Sequence, residues 1–323
     1  MVAAATFLAI FSAGLTGQNS SPATPSKLKL DTGEEIYRGG CISCHGPDGK
    51  GQPQNVAGFE RPETFPDFTD CPTSTPEADV QWRAIVTNGG TARSFSQIMP
   101  SFKDLLTPGQ IDKVVAYLRG FCTETTWPKG DLNLPRAFIT EKAFPEDETV
   151  VTTTLNTQGA PGVGTAVVYE KRVGARGQIE AAVPYNFVHD SGSWQSGFSD
   201  LTVGYKQVLF HSMRTGSIFS LLGEVTAPTG DSVKGTGNGT TIFETSAAFG
   251  QLFPKDAFIQ IHTGAELPAH TNVAPQAYYL RTTLGKTFAT EGGFGRRWTP
   301  MAEFIYDRDL VKGAPNNWTI LPL

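Results

Sequence analysis

The sequence predicts a chain of two unlike parts, a small all-α domain followed by an antiparallel β-barrel. Three observations carry this. With 323 residues the chain is about twice a typical domain, so two domains are expected. The hydrophobic spacing changes from the helical period of about 3.6 to the strand period of about 2 near Phe138. No apolar run reaches the roughly 18 residues that a spanning helix needs, which excludes a helical membrane protein but not one made of strands. Charged residues at 18%, Gly 35, Pro 22 and a formal charge of -5 also exclude a coiled coil, a disordered tail and a basic nucleic-acid binder.

Met1 to Leu15 has the length and apolarity of an export-signal core, and a Ser/Pro-rich stretch follows to Lys27. Residues 1–27 are therefore expected to be a signal peptide and linker, without a positive n-region or a defined cleavage site. A buried core helix is the competing reading.

Residues 28–125 read as the helical domain. Thr32 can cap a first helix, with Glu35 closing a capping box. A second helix is expected to start at Thr75-Pro76-Glu77 and run through Trp82, Ile85 and Val86 to Asn88, with Gly89 as its left-handed stop. The third starts at Thr107-Pro108-Gly109-Gln110, and Ile111, Val114, Val115 and Leu118 mark one buried face.

Between the first two helices stands Cys41-Ile42-Ser43-Cys44-His45. Two thiols three positions apart can each add to one vinyl group of a haem, and the adjacent His can ligate its iron. A zinc knuckle would need two more ligands at comparable spacing, which Cys71 and Cys122 do not offer. A thioredoxin-like redox pair would need a βαβ context, which is missing. A sixth iron ligand must come from far along the chain. Met99, in Gln97-Ile98-Met99-Pro100-Ser101-Phe102, is the candidate, since it lies in a polar, Gly-rich loop ahead of the last helix. Core filler is the alternative role for a lone Met.

These residues resemble the monohaem class I c-type cytochromes: Gly33 and Tyr37, CISCHGPDGKG (Cys41 to Gly51), IMPSF (Ile98 to Phe102) and LTPGQIDKVVAYLRGF (Leu106 to Phe121). The resemblance covers about 30% of the chain. It implies one covalent haem c per chain, bound at Cys41, Cys44, His45 and Met99, with His45 and Met99 as the iron ligands. It also implies that Gly33 and Tyr37 pack on Tyr117 and Leu118, and that a backbone carbonyl orients the proximal His. Pro47, Pro53 and Pro62 are all candidates to precede that carbonyl. In an oxidising periplasm Cys71 and Cys122 would tend to join; two separate buried thiols are the alternative.

After a linker at residues 126–137, residues 138–323 alternate. Ile179, Ala181, Val183, Tyr185 and Phe187 share one phase of a strand, as do Leu201, Val203 and Tyr205. So do Ile259, Ile261, Ala265 and Leu267, and Ala302, Phe304 and Tyr306. Less clean runs cover Val163 to Val173, Ser217 to Ala227, Thr240 to Phe253 and Tyr278 to Phe288. Eight or nine strands of about 10 residues, with short and long turns alternating and aromatics near strand ends, predict a transmembrane barrel. A soluble sandwich is the competitor. The segment also resembles an outer-membrane barrel family associated with phenol meta-pathway degradation, through TEKAFPEDE (Thr140 to Glu148), SGFSDLTVGYK (Ser196 to Lys206) and EVTAPTGD (Glu224 to Asp231). Ile320-Leu321-Pro322-Leu323 lacks the aromatic last residue usual in such barrels, so the barrel is expected to be incomplete at its C-terminus. The polar phase carries Glu180, Glu224, Glu244, Glu266 and Glu303 with Lys206, His262 and Arg281. A wet, charge-balanced interior is the plain reading of these groups, and a cation pathway facing the haem the sharper one.

The expected function is electron transfer by a haem c tethered to an outer-membrane barrel, a carrier rather than an enzyme. A signal at one end and a barrel at the other put the cytochrome on the periplasmic side. The linker's 11 residues Thr126 to Arg136, at no more than ~3.5 Å each, keep it near the barrel mouth. The helical domain holds 9 basic and 13 acidic residues, so a redox partner with a basic docking face is expected, and no nucleic acid. Two other functions compete: a fused cytochrome–porin oxidase taking electrons from a substrate such as Fe(II), and a non-redox porin for aromatic compounds with an accessory cytochrome.

Overall fold

The first helix, α1 (Gly33–Gly40), begins where the sequence expects it, because Thr32 and Glu35 exchange the two bonds of a capping box. The chain is described here by a computed structural model covering residues 29–63, 65–156, 161–190, 192–289 and 297–323; the expected export signal lies outside them. One-turn helices α2 (Ile42–His45), α3 (Gln54–Ala57) and α4 (Cys71–Ser74) follow, then α5 (Asp79–Asn88) and α6 (Pro108–Arg119). A second capping box, between Thr107 and Gln110, starts α6. Its Ile111, Val114, Val115 and Leu118 are buried against Ile36, Tyr37, Phe68 and Val86. At Gly33 the two helices come so close that a Cβ would lie 2.2 Å from the Lys113 carbonyl oxygen. The Tyr37 and Tyr117 rings pack at a tilt of 48° with centroids 5.3 Å apart, in line with the packing that the cytochrome resemblance implies.

The second predicted helix, expected to have Pro76 as its first residue, starts three residues late, at Asp79. Thr75 ends α4, its hydroxyl bonding the Cys71 carbonyl, and Pro76-Glu77 form a turn held from outside. The Arg119 guanidinium donates to the Ser74 and Glu77 carbonyls, and the Gly130 amide to that of Thr75. Ala78, the residue before α5, cannot cap it; Asp131, far along the chain, accepts from the Asp79 amide at 3.1 Å instead. Gly89 ends α5 with φ 82, but with ψ 175 in place of the left-handed helical value. Cys71 and Cys122 form a disulfide.

An antiparallel sheet makes up most of the remainder. Its strands are β1 (Glu148–Asn156), β2 (Gly162–Val173), β3 (Gly177–Asp190), β4 (Ser193–Phe198), β5 (Leu201–Ser212) and β6 (Ser217–Ala227). They continue as β7 (Ile242–Leu252), β8 (Ala257–Pro268), β9 (Ala277–Lys286), β10 (Phe288–Ala289), β11 (Arg297–Trp298), β12 (Met301–Asp309) and β13 (Asn317–Pro322). The 11-stranded sheet runs β1-β2-β3-β5-β6-β7-β8-β9-β12-β13, with β4 on β3; β10 and β11 pair separately. The path follows sequence order, an up-and-down meander in which β4 intervenes between β3 and β5, and β10 and β11 between β9 and β12. Its edges, β1 and β13, are not paired to each other among the described residues.

The two faces have inverted polarity. Val167, Ile179, Val203, Leu221, Phe243 and Leu284 are exposed, while Glu170, Gln178, Lys206, Gln260, His262, Thr283 and Glu303 are buried. A sandwich would bury the first set, so the packing excludes that competitor. Residues 133–147 cover the polar face as an inner strap. Among them Thr140 is held by Glu303 on β12, and Glu141 comes within 4.8 Å of Glu170 on β2. In a flat sheet the seven inter-strand steps from β2 to β12 would span about 34 Å, so the sheet curls around the strap.

Alternation was expected from Phe138, yet the first strand begins at Glu148. The intervening backbone is satisfied by the sheet's side chains instead of a ladder: Glu303 accepts from the Ile139 amide at 3.0 Å, and Ser220 donates to the Ala143 carbonyl at 2.5 Å. Phe144 of the strap fills an apolar patch with Leu132, Val208, Ile218, Leu222 and Ala248. Ion pairs fix the rest. Arg136 reaches Glu146 (2.8 Å), Glu170 (2.6 Å) and Glu148; Lys142 pairs with Glu146, and Lys206 with Glu141 at 2.5 Å. The register aligns Glu148, Glu170, Glu180, Gly204, Glu224, Glu244 and Glu266 in one row across β1 to β8, which the strap meets at Glu148 and Glu170.

Candidate haem-binding site

The short helix α2 follows α1 without a break, because Cys41 both ends α1 and starts α2. The amides of Cys44 and His45 bond the Cys41 carbonyl at 3.1 and 2.9 Å, so both thiols and the imidazole are carried on one turn. Tyr37, buried in the α1–α6 core, donates its hydroxyl to the Gly46 carbonyl at 2.6 Å and pins the end of that turn.

Met99 arrives from the other side. Its loop is sewn to the end of α5: Gly90 donates to the Met99 carbonyl at 3.0 Å, Phe102 to that of Val86 at 3.1 Å, and the Ser101 hydroxyl to that of Thr87 at 2.7 Å. Gly90 is required for this approach, since a Cβ there would lie 2.2 Å from the Ser96 carbonyl oxygen and 3.3 Å from the Met99 Cβ.

The four residues singled out from the sequence, Cys41, Cys44, His45 and Met99, line one cavity of about 700 Å³. That volume lies within the range of about 300–1,000 Å³ typical of cofactor pockets. Phe68, Trp82, Val86, Phe102, Val114 and Leu118 supply apolar walls. The donor set fits a covalent haem c. Both thiols are free, so neither is committed to a disulfide. His45 Nδ1 is buried with no hydrogen-bond partner among the described residues. Burial pushes the imidazole pKa down to about 4, keeping it neutral, the form that ligates a metal. Burial, and secondarily the neighbouring Cys44, push the Cys41 thiol up to about 11.

Sequence reasoning did not single out Phe65 and Phe68, which sandwich the candidate ligand. Phe65 stacks on the His45 ring at 5.1 Å and Phe68 lies at 5.0 Å. Nothing in their spacing marks them, because they come from an irregular loop. The carbonyl that the resemblance implies for orienting the His is not found at Nδ1. The strap's charged residues were also missed as a group, although the alternating Arg136, Glu141, Lys142, Glu146 and Glu148 gave a signal. Neither metal-sized carboxylate cluster lies in this cavity. Glu141, Glu170 and Glu180, and Glu146, Glu148 and Glu170, sit on the strap and sheet, where Arg136 pairs with Glu146, Glu148 and Glu170 and Lys206 with Glu141.

Residues 29–118 match the family model described as cytochrome C oxidase, cbb3-type, subunit III. The N-terminal part is thus a cytochrome c-type domain, followed by a large antiparallel sheet. No curated protein matches the chain.

Proposed function

We propose that the chain is a one-electron carrier whose haem c is held at Cys41, Cys44, His45 and Met99, next to the mouth of an outer-membrane β-barrel. The observation that carries the proposal is the convergence of those four side chains on one largely apolar cavity. Bound there, the group supplies reversible one-electron transfer at iron, with its potential set by axial ligands and burial. The chain's own part is positional. Cys41 and Cys44 fix the group covalently, while Tyr37 and the α1–α6 core hold the turn that carries His45. The bonds between the Met99 loop and α5 hold the thioether in place, and the apolar walls exclude water.

The sheet's outward apolar face supports membrane insertion, and the resemblance to phenol meta-pathway barrels agrees with that reading. The proposed division is residues 1–27 for export, 28–125 for the cytochrome, 126–137 for the linker and 138–323 for the barrel, with the cytochrome on the periplasmic side.

The test is spectroscopic. Purified protein should contain one haem c per chain, and its oxidised form should show the weak near-infrared sulfur-to-iron band. Met99→Ala should abolish that band, and its persistence would remove Met99 from the site. Cys41→Ser or Cys44→Ser should leave one thioether or none.

A second reading, oxidation of a lumen-borne cation such as Fe(II), is favoured by the aligned glutamate row. Reduction of the haem by Fe(II) that slows in Glu224→Gln and Glu244→Gln would support it; reduction indifferent to both would leave the carrier.

A further inference from the structure

The mouth of the cavity has a chemistry of its own. Every charged side chain that lines the cavity is a carboxylate: Glu63, Asp67, Asp70 and Glu77. Glu77 alone among them is ion-paired, with Arg93 at 3.7 Å. Asp67 accepts from Thr69 and feels the nearby charge of Lys50, while Asp70 accepts from Thr73 and has no ion pair among the described residues. Glu63 is exposed and has no ion pair among the described residues. Beside Met99 stand two large apolar side chains, Phe95 and Ile98, exposed to 46% and 45%. Neither belongs to the hydrophobic core.

The linker meets this face at one edge only among the described residues, where Gly130 bonds the Thr75 carbonyl beside Glu77 and Asp131 accepts from Asp79. Arg176 and His211 of the sheet bond the linker's Thr126 carbonyl. No hydrogen bond or ion pair joins Glu63, Asp67, Asp70, Phe95 or Ile98 to a strand among the described residues.

We infer that this rim, with Phe95 and Ile98 at its apolar centre and Glu63, Asp67 and Asp70 around it, docks a redox protein presenting lysines and arginines around an apolar patch. The inference rests on the haem site proposed above and names its partner class. An exposed apolar centre supplies the short-lived contact that electron transfer needs. A ring of one charge sign steers the encounter and selects the partner, and it acts through the association rate. Carboxylates at the rim would repel an acidic partner, so the sign of the partner's charge follows.

The test uses full-length holoprotein in detergent, reduced, and mixed in a stopped-flow instrument with two inorganic oxidants, hexaammineruthenium(III) and ferricyanide, and with a lysine-rich small cytochrome c. Intact haem c absorption is checked first, so a failure of the haem site is recognised before any docking is measured. The cationic oxidant and the basic cytochrome should react more slowly as salt is raised, and ferricyanide faster. In the Glu63→Gln/Asp70→Asn double variant the rate with the cationic oxidant should fall about two- to fourfold and that with ferricyanide should rise. Phe95→Ala/Ile98→Ala should slow the basic cytochrome while leaving both small ions unchanged. Asp112→Asn, on α6 outside the cavity lining, should alter none of the rates. Rates with the two oxidants that respond alike to salt, or that ignore the double variant while the haem spectrum is intact, would overturn the inference. So would loss of a dimer in the double variant, which would make a second copy the occupant.

Discussion

Arg136→Met tests whether the strap is what ties the cytochrome domain to the sheet. The Arg136 guanidinium serves three carboxylates at once, Glu146, Glu148 and Glu170, whose oxygens lie within 4.8 Å of one another. Two of them are almost fully buried, Glu146 at 5% and Glu170 at 1% exposure. At an effective dielectric of about 20, two unit charges that close repel by roughly 3.5 kcal/mol. Lys142 remains on Glu146 and offsets part of this, and solvent screens the 38% exposed Glu148. The expected cost is about 3 kcal/mol, at the low end for breaking a buried pair because Arg136 is itself one-third exposed. The assay is a urea titration in detergent micelles, with limited proteolysis at Lys142 as a local probe. The midpoint should fall and cleavage at Lys142 should begin before global unfolding. Arg136→Lys, which keeps the charge but serves fewer partners, should lie between. A loss under about 1 kcal/mol, or a lysine variant as poor as methionine, would refute the reasoning.

Three further outcomes follow from the same structure. Asp131→Ala removes the side-chain acceptor that caps the start of α5 and should cost about 1 kcal/mol in thermal unfolding of the cytochrome domain. Burial, and then the charge of Asp79, raise the Asp131 carboxyl above its ordinary value, so its ionisation costs stability as pH rises above the unfolded value of about 3.9. Asp131→Asn keeps the acceptor, so it should be more stable than the parent at neutral pH and lose that advantage towards pH 4; a pH-independent difference would contradict this. Gly33→Ala places a Cβ 2.2 Å from the Lys113 carbonyl oxygen and should cost about 1–3 kcal/mol by forcing α1 off α6, read as a lowered Tm. Cys71→Ser opens a bridge between residues 51 apart and should cost roughly 4 kcal/mol by loop entropy, read as a lower denaturant midpoint for unfolding of the cytochrome domain.

Legibility in the sequence followed the range of the interactions. Helices α1 and α6 were readable because Thr32 with Glu35, and Thr107 with Gln110, settle their starts within four residues. The start of α5 was misplaced because its cap, Asp131, comes from the linker and Thr75-Pro76-Glu77 is held by Arg119 and Gly130. Even a run of blurred alternation such as Ser217 to Ala227 matches its strand, β6, to the residue, whereas β1, β4 and β13 were missed. Thr152, Thr153 and Thr154 blur the phase of β1, and β4 is rich in Ser and Gly. The strap was invisible because its partners are side chains scattered over β2 to β12. The polar phase was legible as interior, but its alignment into one glutamate row needed the register. Cys41, Cys44 and His45 were legible because thioether attachment demands a fixed local spacing, and Met99 because it stands in a polar, Gly-rich loop; Phe65 and Phe68 were not, because stacking on His45 demands no spacing.

The polarity of the sheet leads to a prediction whose sign separates bilayer from water. Leu221 lies mid-strand on β6, is 45% exposed, and points away from the strap. If that face meets hydrocarbon, Leu221→Arg carries a guanidinium into the bilayer and should cost about 2–4 kcal/mol near the midplane. If the face meets water, the same change relieves an exposed apolar side chain and should lie within about 0.5 kcal/mol of neutral. The ladder itself supplies the assay, since a hydrogen-bonded barrel resists detergent until heated and then migrates differently on gels. The parent protein should fractionate with the outer membrane and show that heat-dependent shift. Leu221→Arg should lower the temperature of the shift, and Leu221→Phe should leave it in place. A soluble periplasmic protein with no heat-modifiable form, and equal behaviour of the arginine and phenylalanine variants, would remove the barrel from the lipid and leave the cytochrome on a soluble β domain.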